Sequence, residues 1–505
     1  GFSTDHMRFI PPCPLEVSGT ILCSLHPAAL PMSNSAANEQ SRTAHASPTS
    51  RLSASDIDRG QTLVRRFALM NGVSVPLLMD SMLILYGIRL GMSDASLAVL
   101  ASFIFLTMPF MLIGKRWTSR RGAAYTWGTG WIMRNVSALV MIAAPFLPES
   151  APQILRTAVV LTGAFGFAAF RSIGLVGNSP LLGEITTNAN RGRFMSGNWI
   201  RATTVQFLVL AVVIAILALN PATWVFQVLI AVGATVGIYV GLLLRSVPES
   251  DGPQQSAQTP APEVLRRVWR VPRIRKTLFS WAVAFASFTL VLPFATLTVK
   301  NGYGLSDHEA LLLSLVVLVG GASASLTNNA IADKVGPRPL AIIYVSLLTM
   351  LAALWSFAPD TMLLLPTALG FFVSGYSKFG LLMVTNHYFL NVSESSDRVG
   401  ASMVLRIVSG TIAGLITGVL GGAILGGLRA IGLEGMDVYR SYFRVALAVM
   451  LAMLPLMLGL EKLEEWPLHR AALLLLRPRK MLAMHRAERA QPTHAAPSND
   501  TSRPQ

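Results

Sequence analysis

The sequence predicts an all-α membrane protein: about twelve transmembrane helices in two pseudo-symmetric six-helix bundles. Three observations lead there. The chain of 505 residues is 52% hydrophobic and 13% charged, whereas a soluble chain carries about 25% charged residues. From Phe67 onward, apolar segments near the ~20 residues that cross a bilayer follow one another, and a polar stretch at 246–276 divides them six and six. Finally, one stretch occurs twice, at 170–201 and 377–406. Each copy has a basic residue (Arg171, Lys378) and a Gly-Leu pair (Gly174-Leu175, Gly380-Leu381) at a helix end. A polar loop with acids follows (Glu184; Glu394 and Asp397), then two arginines: Arg193 and Arg201, Arg398 and Arg406. Arg193 and Arg398 are 205 positions apart, as duplicated halves would place them.

Residues 1–60 are rich in Ser, Ala, Pro and Asn and are expected to form a disordered tail. The chain opens on Gly1, and Met32 begins a more ordinary polar leader, so a natural start near Met32 is expected. No cleaved signal peptide is apparent. The only cysteines, Cys13 and Cys23, sit in this tail, which leaves neither a disulfide framework nor a cysteine metal site. The apolar segments run at 67–88, 95–114, 123–146, 153–176, 197–219, 223–244, 277–299, 309–331, 339–358, 361–387, 400–427 and 441–460. The expected divisions are therefore a first bundle over 61–245, a linker over 246–276, a second bundle over 277–462 and a basic tail over 463–505.

Charge orients the segments. The net charge of +16 would suggest nucleic acid in a soluble protein; in a membrane protein the positive-inside bias accounts for it, and no nucleic-acid partner is expected. Arg59, Arg65 and Arg66 precede the first segment, and Lys115, Arg116, Arg120 and Arg121 follow the second. The linker and the loops after segments four and eight are also basic. All these fall on one side if the segments alternate. The opposite loops hold chiefly Arg89, Lys300 and Arg429. Both termini and the linker are thus expected in the cytoplasm, with the chain in the cell (inner or plasma) membrane. In the tail, His469–Ala490 flanks a Leu/Met face with basic residues, as in a helix lying on anionic inner-leaflet lipids.

Further echoes support duplication. Pro76 and Pro293 lie at similar depth in segments one and seven, where a proline permits a bend. The loops after segments two and eight read GKRWTSRRG (114–122) and NNAIADKVGPR (328–338). With the six-plus-six division, these turns resemble the major facilitator superfamily of secondary transporters. The turn Asp333-Lys334-Val335-Gly336-Pro337-Arg338 is close to that family's G-x-x-x-D-R/K-x-G-x-R signature, with Asn329 in place of the first Gly. The first-half turn keeps Gly114, but Thr118 stands where the family has Asp, and Gly122 is one place late. The resemblance covers roughly 60–462. It implies two bundles that rock about a central cavity, with solute and coupling ions bound near the midplane.

An ionisable group at mid-membrane needs a reason, because insertion costs roughly 2.5–3.5 kcal/mol. Asp80, one helical turn after Pro76, is a candidate proton site or the partner of an arginine. Arg134, beside Asn135 in segment three, is a candidate for an anionic or hydroxyl-bearing solute, or that partner. Arg171 and Lys378 are expected to line the cavity or bind carbonyls. Asn386 and His387 close segment ten, His387 as a titrating group or a cap. Arg201 and Arg406, with Glu184 and Asp397, could form ion pairs that shut the cytoplasmic side. Gly114, Arg121, Gly122, Arg193, Asp333, Gly336, Arg338 and Arg398 complete the gating candidates. Glycines at 410, 414, 418, 422 and 426, and at 233, 237 and 241, form stripes that let helices approach closely. Trp127, Trp131, Trp199 and Trp281 could stack on a ring or anchor helices.

The expected function is proton-coupled transport of a small polar or anionic organic solute by alternating access. The alternative is an efflux pump for amphipathic drugs or metabolites. Segment five lacks the glycine-rich run of the family's drug antiporters, which favours uptake, and Val-Pro-Glu-Ser (247–250) has a faint similarity to sugar porters. No Walker loop, nucleophile elbow or metal cluster is legible, so neither an enzyme nor a cofactor is expected. The protein is expected to act as a monomer.

Overall fold

The computed structural model describes residues 52–475 and 477, apart from 79–80, 149, 187–190, 259, 393–397 and 463–464. The expectations for residues 1–51 and for the tail beyond 477 lie outside this set, as do Asp80, Glu394 and Asp397.

The described residues form helices and turns, with no strand among them. Helix α1 covers Ala54–Leu78, and Ser81–Arg89 follows it. Helix α2 is Asp94–Leu106 and Met111–Arg121, joined by a 3-10 turn at Met108–Phe110. Next come α3 (Ala123–Met141), α4 (Gln153–Ile185), α5 (Arg191–Ala218) and α6 (Trp224–Arg245). Short helices Gly252–Ser256 and Ala261–Arg270 occupy the linker. The second half is α7 (Pro272–Leu297, with a π turn at Thr298–Gly302), α8 (Asp307–Val335), α9 (Pro337–Ser356) and α10 (Leu364–Val392). Helix α11 runs Arg398–Gly414, a π turn at Leu415–Gly421, then Gly422–Ala430, and α12 is Gly435–Leu458. Among the described residues, eleven spans are long and apolar enough to cross a membrane; the nineteen-residue α3, which carries Arg134, is not one of them.

Helices outlast their apolar windows. Residues 54–60 of the predicted tail belong to α1, because Ser53 caps it: its Oγ accepts from the Asp56 amide at 3.1 Å. Helix α4 continues to Ile185, burying Gly177, Leu181 and Ile185.

The halves repeat their packing. In the first, α3 packs on α4 and α6, α1 on α5 and α6, and α2 on α4. In the second, α9 packs on α10 and α12, α7 on α11 and α12, and α8 on α10. Each of these contacts recurs six helices on, as duplicated bundles require. The two most extensive contacts between the halves are counterparts too: α2 on α11, and α5 on α8. The glycine stripe of α11 serves the first. A Cβ at Gly414 would stand 2.6 Å from the Leu106 backbone nitrogen, and one at Gly418 2.2 Å from the Ser102 hydroxyl. The stripe of α6 serves its own half: Cβ atoms at Gly233 and Gly237 would collide with Leu77 and Asn135.

Alternate helices begin at opposite ends of the bundle. The end where odd-numbered helices start carries most of the basic loops and is called the basic end; the other is the far end.

Candidate functional site

Arg134 lies midway along α3 with 1% of its surface exposed. Helical spacing puts Trp131 one turn before it on the same face. The guanidinium carbon sits 4.6 Å from the Trp131 ring and 4.5 Å from the Phe167 ring of α4. Two aromatic faces thus cover the planar cation. Its Nε and Nη2 have no hydrogen-bond partner among the described residues. Those two N–H groups are adjacent and parallel, the edge on which a guanidinium grips a carboxylate with two bonds. Arg171 stands one turn beyond Phe167 on α4, half-buried, so a second cation shares that face.

The surroundings hold Arg134 in place. Asn135 donates its amide to the Trp131 carbonyl at 2.7 Å, and Trp131 donates its indole N–H to Asn71 Oδ1 of α1 at 3.1 Å. Trp127, Trp131 and Trp281 are buried in the helical cores, and Trp199 is half-exposed against Phe379. Lys378, half-buried on α10, holds its ammonium 6.0 Å from the Phe288 ring of α7 and 5.7 Å from Phe379. Asn386 is exposed and donates back to the Leu382 carbonyl at 2.7 Å; His387 is half-buried beside it. The structure therefore keeps Arg134, Asn135 and Arg171 in one half, and Lys378, Asn386 and His387 in the other.

At the basic end the two Gly turns are equivalents. Gly122 ends α2 with φ of 93°, and Gly336 ends α8 with φ of 90°. Both are left-handed, where glycine is the least strained residue. Each turn also meets a glutamate from the end of its own bundle. Glu249 accepts from the backbone N–H groups of Ala123 and Ala124 at 2.6 and 3.0 Å, and so caps α3. Glu465 accepts from Arg338 at 2.9 Å on α9. Thr118, standing where the family has Asp, bonds instead to the Gly114 carbonyl and the Thr126 hydroxyl. A Cβ at Gly114 would meet the Ile173 carbonyl at 2.2 Å, so this glycine sets the approach of α2 to α4. Arg121 donates to the Tyr125 hydroxyl.

The expected pairing of Glu184 with Arg201 is not formed. Glu184 accepts instead from the Ser250 N–H at 2.8 Å and from its hydroxyl. Arg201 is exposed and donates to Asn198. Arg406 is half-buried in α11. The side chains of Arg193, Asp333 and Arg398 lie outside the described set.

Glu249 and Glu465 are missed by sequence reasoning, although the similarity at Val247–Ser250 marks one of them. Burial pushes the Glu249 carboxyl above its ordinary value; its two amide bonds oppose the shift and the Glu184 charge adds to it. The folded protein therefore holds this proton more tightly than the unfolded chain. Stability from this group is full below the ordinary carboxylate value and is lost as pH climbs through the raised one. Both amides bond to a single oxygen, which a glutamine carbonyl can replace. Glu249→Gln is thus expected to flatten the decline in melting temperature as pH rises above the ordinary carboxylate value, whereas Glu249→Ala lowers it throughout. An unaltered profile in the glutamine variant counts against this assignment.

The family described as Major Facilitator Superfamily matches residues 67–394. No curated protein matches the chain. Among solved structures, a variant of the nucleoside transporter NupG superposes with TM-score 0.62 at 10% identity, over 80% of this chain and 100% of that one. The proton:xylose symporter XylE bound to 6-bromo-6-deoxy-D-glucose gives 0.55 at 17% identity, over 83% and 100%. A bacterial homologue of the human lysosomal transporter Spinster, inward-facing and unoccupied, gives 0.53 at 14% identity, over 86% and 99%. At these identities the likeness is one of fold.

Proposed function

The chain belongs to the major facilitator superfamily, and from that premise we propose that it carries a small anionic organic solute across the membrane, coupled to protons, by alternating access. It is a multi-pass membrane transporter rather than an enzyme. The single observation behind the solute class is the bare Nε/Nη2 edge of Arg134. A buried guanidinium edge without an acceptor among the described residues is under a standing penalty that an incoming carboxylate relieves. The likeness to nucleoside and proton:xylose carriers supports a polar solute and a proton as coupling ion. Asp80 is the proton site in this reading: the sequence puts it in the first span, one turn past Pro76. The positive-inside bias makes the basic end cytoplasmic, with both termini there and anionic inner-leaflet lipids against the basic tail. We place the chain in the cell membrane, acting as a monomer.

Purified protein in proteoliposomes tests this. A thermal-shift screen of anionic and neutral solutes comes first, followed by uptake of the best ligand under an imposed pH gradient. Stabilisation by anions, and accumulation that collapses with the gradient, are expected. Stabilisation by neutral solutes alone ends the anion reading. Asp80→Asn is expected to abolish pH-driven accumulation while sparing counterflow exchange. Full accumulation in that variant removes Asp80 from the mechanism.

A further inference from the structure

Two short loop stretches repeat at the far end: Gly91-Met92-Ser93-Asp94 and Gly304-Leu305-Ser306-Asp307, with 213 positions between Asp94 and Asp307. They fold alike. Gly91 and Gly304 take φ of 71° and 72°. Ser93 caps α2, its Oγ accepting from the Ser96 amide, and Ser306 forms a capping box with Glu309 at the start of α8. Asp94 and Asp307 are then the first residues of their helices, 6% and 3% exposed.

An acid in a first turn is ordinary. The source of its partners is not. Asp94, in the first half, accepts from Arg429 at the end of α11. It also accepts from the Tyr439 hydroxyl of α12 at 2.9 Å and the Asn301 amide of the α7 π turn at 2.8 Å. All three belong to the second half. Asp307, in the second half, accepts from Arg89 Nε at 2.6 Å, and Arg89 ends the first span of the first half. Lys300 adds a contact to Asp307 at 2.6 Å from its own side. Just beneath, Ser314 of α8 donates to Ser81 across the same seam at 2.6 Å. Arg89, Lys300 and Arg429 are the basic residues that the sequence chiefly places in the loops of this end, and all three bind one of these two acids. At the basic end, Glu184 bonds to Ser250 of the linker, Glu249 caps a helix of its own half and Glu465 pairs with Arg338 of its own half.

We propose that the duplicated Gly-x-Ser-Asp is a latch. Two helix-starting acids, Asp94 gripped by three donors and Asp307 by one donor of the opposite half, hold the far end of the molecule shut. Each carboxylate is nearly buried and sits between several donors, so these pairs count for more than exposed surface pairs. The latch breaks when the halves rock to open that end. The inference needs no solute and stands apart from the transport reading.

A distance measurement tests it. Ser150 and Thr361 are exposed far-end loop residues, one in each half. Spin labels on Ser150→Cys and Thr361→Cys, in a background with Cys13→Ser and Cys23→Ser, report the gap by pulsed electron resonance. One short population is expected. Asp94→Asn with Asp307→Asn keeps the side-chain shapes and removes both charges. It is expected to raise the long-distance population by about tenfold. A folded asparagine variant with the parent's distances overturns the latch. If that variant does not purify as a monodisperse species, Arg89→Gln with Arg429→Gln is measured instead. The same shift then supports the latch, and the same lack of shift refutes it.

Discussion

Arg134→Met is expected to abolish accumulation of the anionic solute and, at the same time, to raise the melting temperature of the purified protein. The two outcomes have one cause. In the structure two N–H groups of a nearly fully buried cation have no acceptor. Each such group costs about 1–3 kcal/mol, and more when charged. Against this stand two cation–π contacts, with Trp131 and Phe167, worth about 2 kcal/mol each when desolvated. Methionine fits the same slot and returns about 0.3–1.5 kcal/mol through sulfur–aromatic contact. With the charged groups at the upper end of their range, the sum favours the variant by on the order of 2–3 kcal/mol, or a few degrees. Arg134→Lys keeps the charge but loses the fork, so transport falls with no gain in stability. Thermal melts and proteoliposome uptake on the three proteins check this. If the methionine variant melts lower than the parent, Arg134 is a structural tie, and the anion site must be sought elsewhere.

The parts of the molecule legible in advance are those written in local pattern. Twelve apolar windows and a division at 246–276 give the spans, and the Arg193/Arg398 echo gives the halves. Arg134 is legible because a charge inside an apolar window draws attention by itself. What stays hidden is what depends on the chain returning. Glu249 and Glu465 are ordinary polar residues until the fold brings them to the turns at Gly122 and Gly336. The sequence offers Glu184 an ion pair with Arg201 from the neighbouring loop, and the fold gives it Ser250, 66 positions on. The latch is an intermediate case. Its four residues carry no hydropathy signal, since they lie in loops. Yet the repeat is plain once the halves are compared at 213 positions rather than 205. Asp94 and Arg193 are 99 positions apart and Asp307 and Arg398 are 91, so the first half has eight more residues in this interval and a single offset cannot align both.

Gly414→Ala is expected to cut transport by tenfold or more while leaving the melting temperature unchanged or higher. Gly414 lies on α11 against α2, at the seam between the halves. A methyl there would stand 2.6 Å from the Leu106 nitrogen and 2.9 Å from its Cα, and backbone within a helix has no free end to swing away. At Gly410 the nearest atom belongs to the Met108 side chain, which can yield. Overpacking of this kind costs typically 1–3 kcal/mol. It falls on the far-end-closed arrangement, where α2 and α11 touch. The gain in helix propensity, up to about 1 kcal/mol, falls on every folded state equally and so shifts stability rather than the balance between states. Since each 1.4 kcal/mol is a factor of ten, the far-end-open form gains roughly five- to 150-fold in weight. A carrier that cannot close one face cannot complete its cycle. The same helix supplies the control: Gly426 and Gly427 have nothing within 4 Å of a built Cβ, so Gly426→Ala should transport as the parent does. Uptake rates for both variants, read beside the Ser150–Thr361 distance, decide the matter. Parental transport in Gly414→Ala would mean that the α2–α11 contact is not remade in each turn of the cycle.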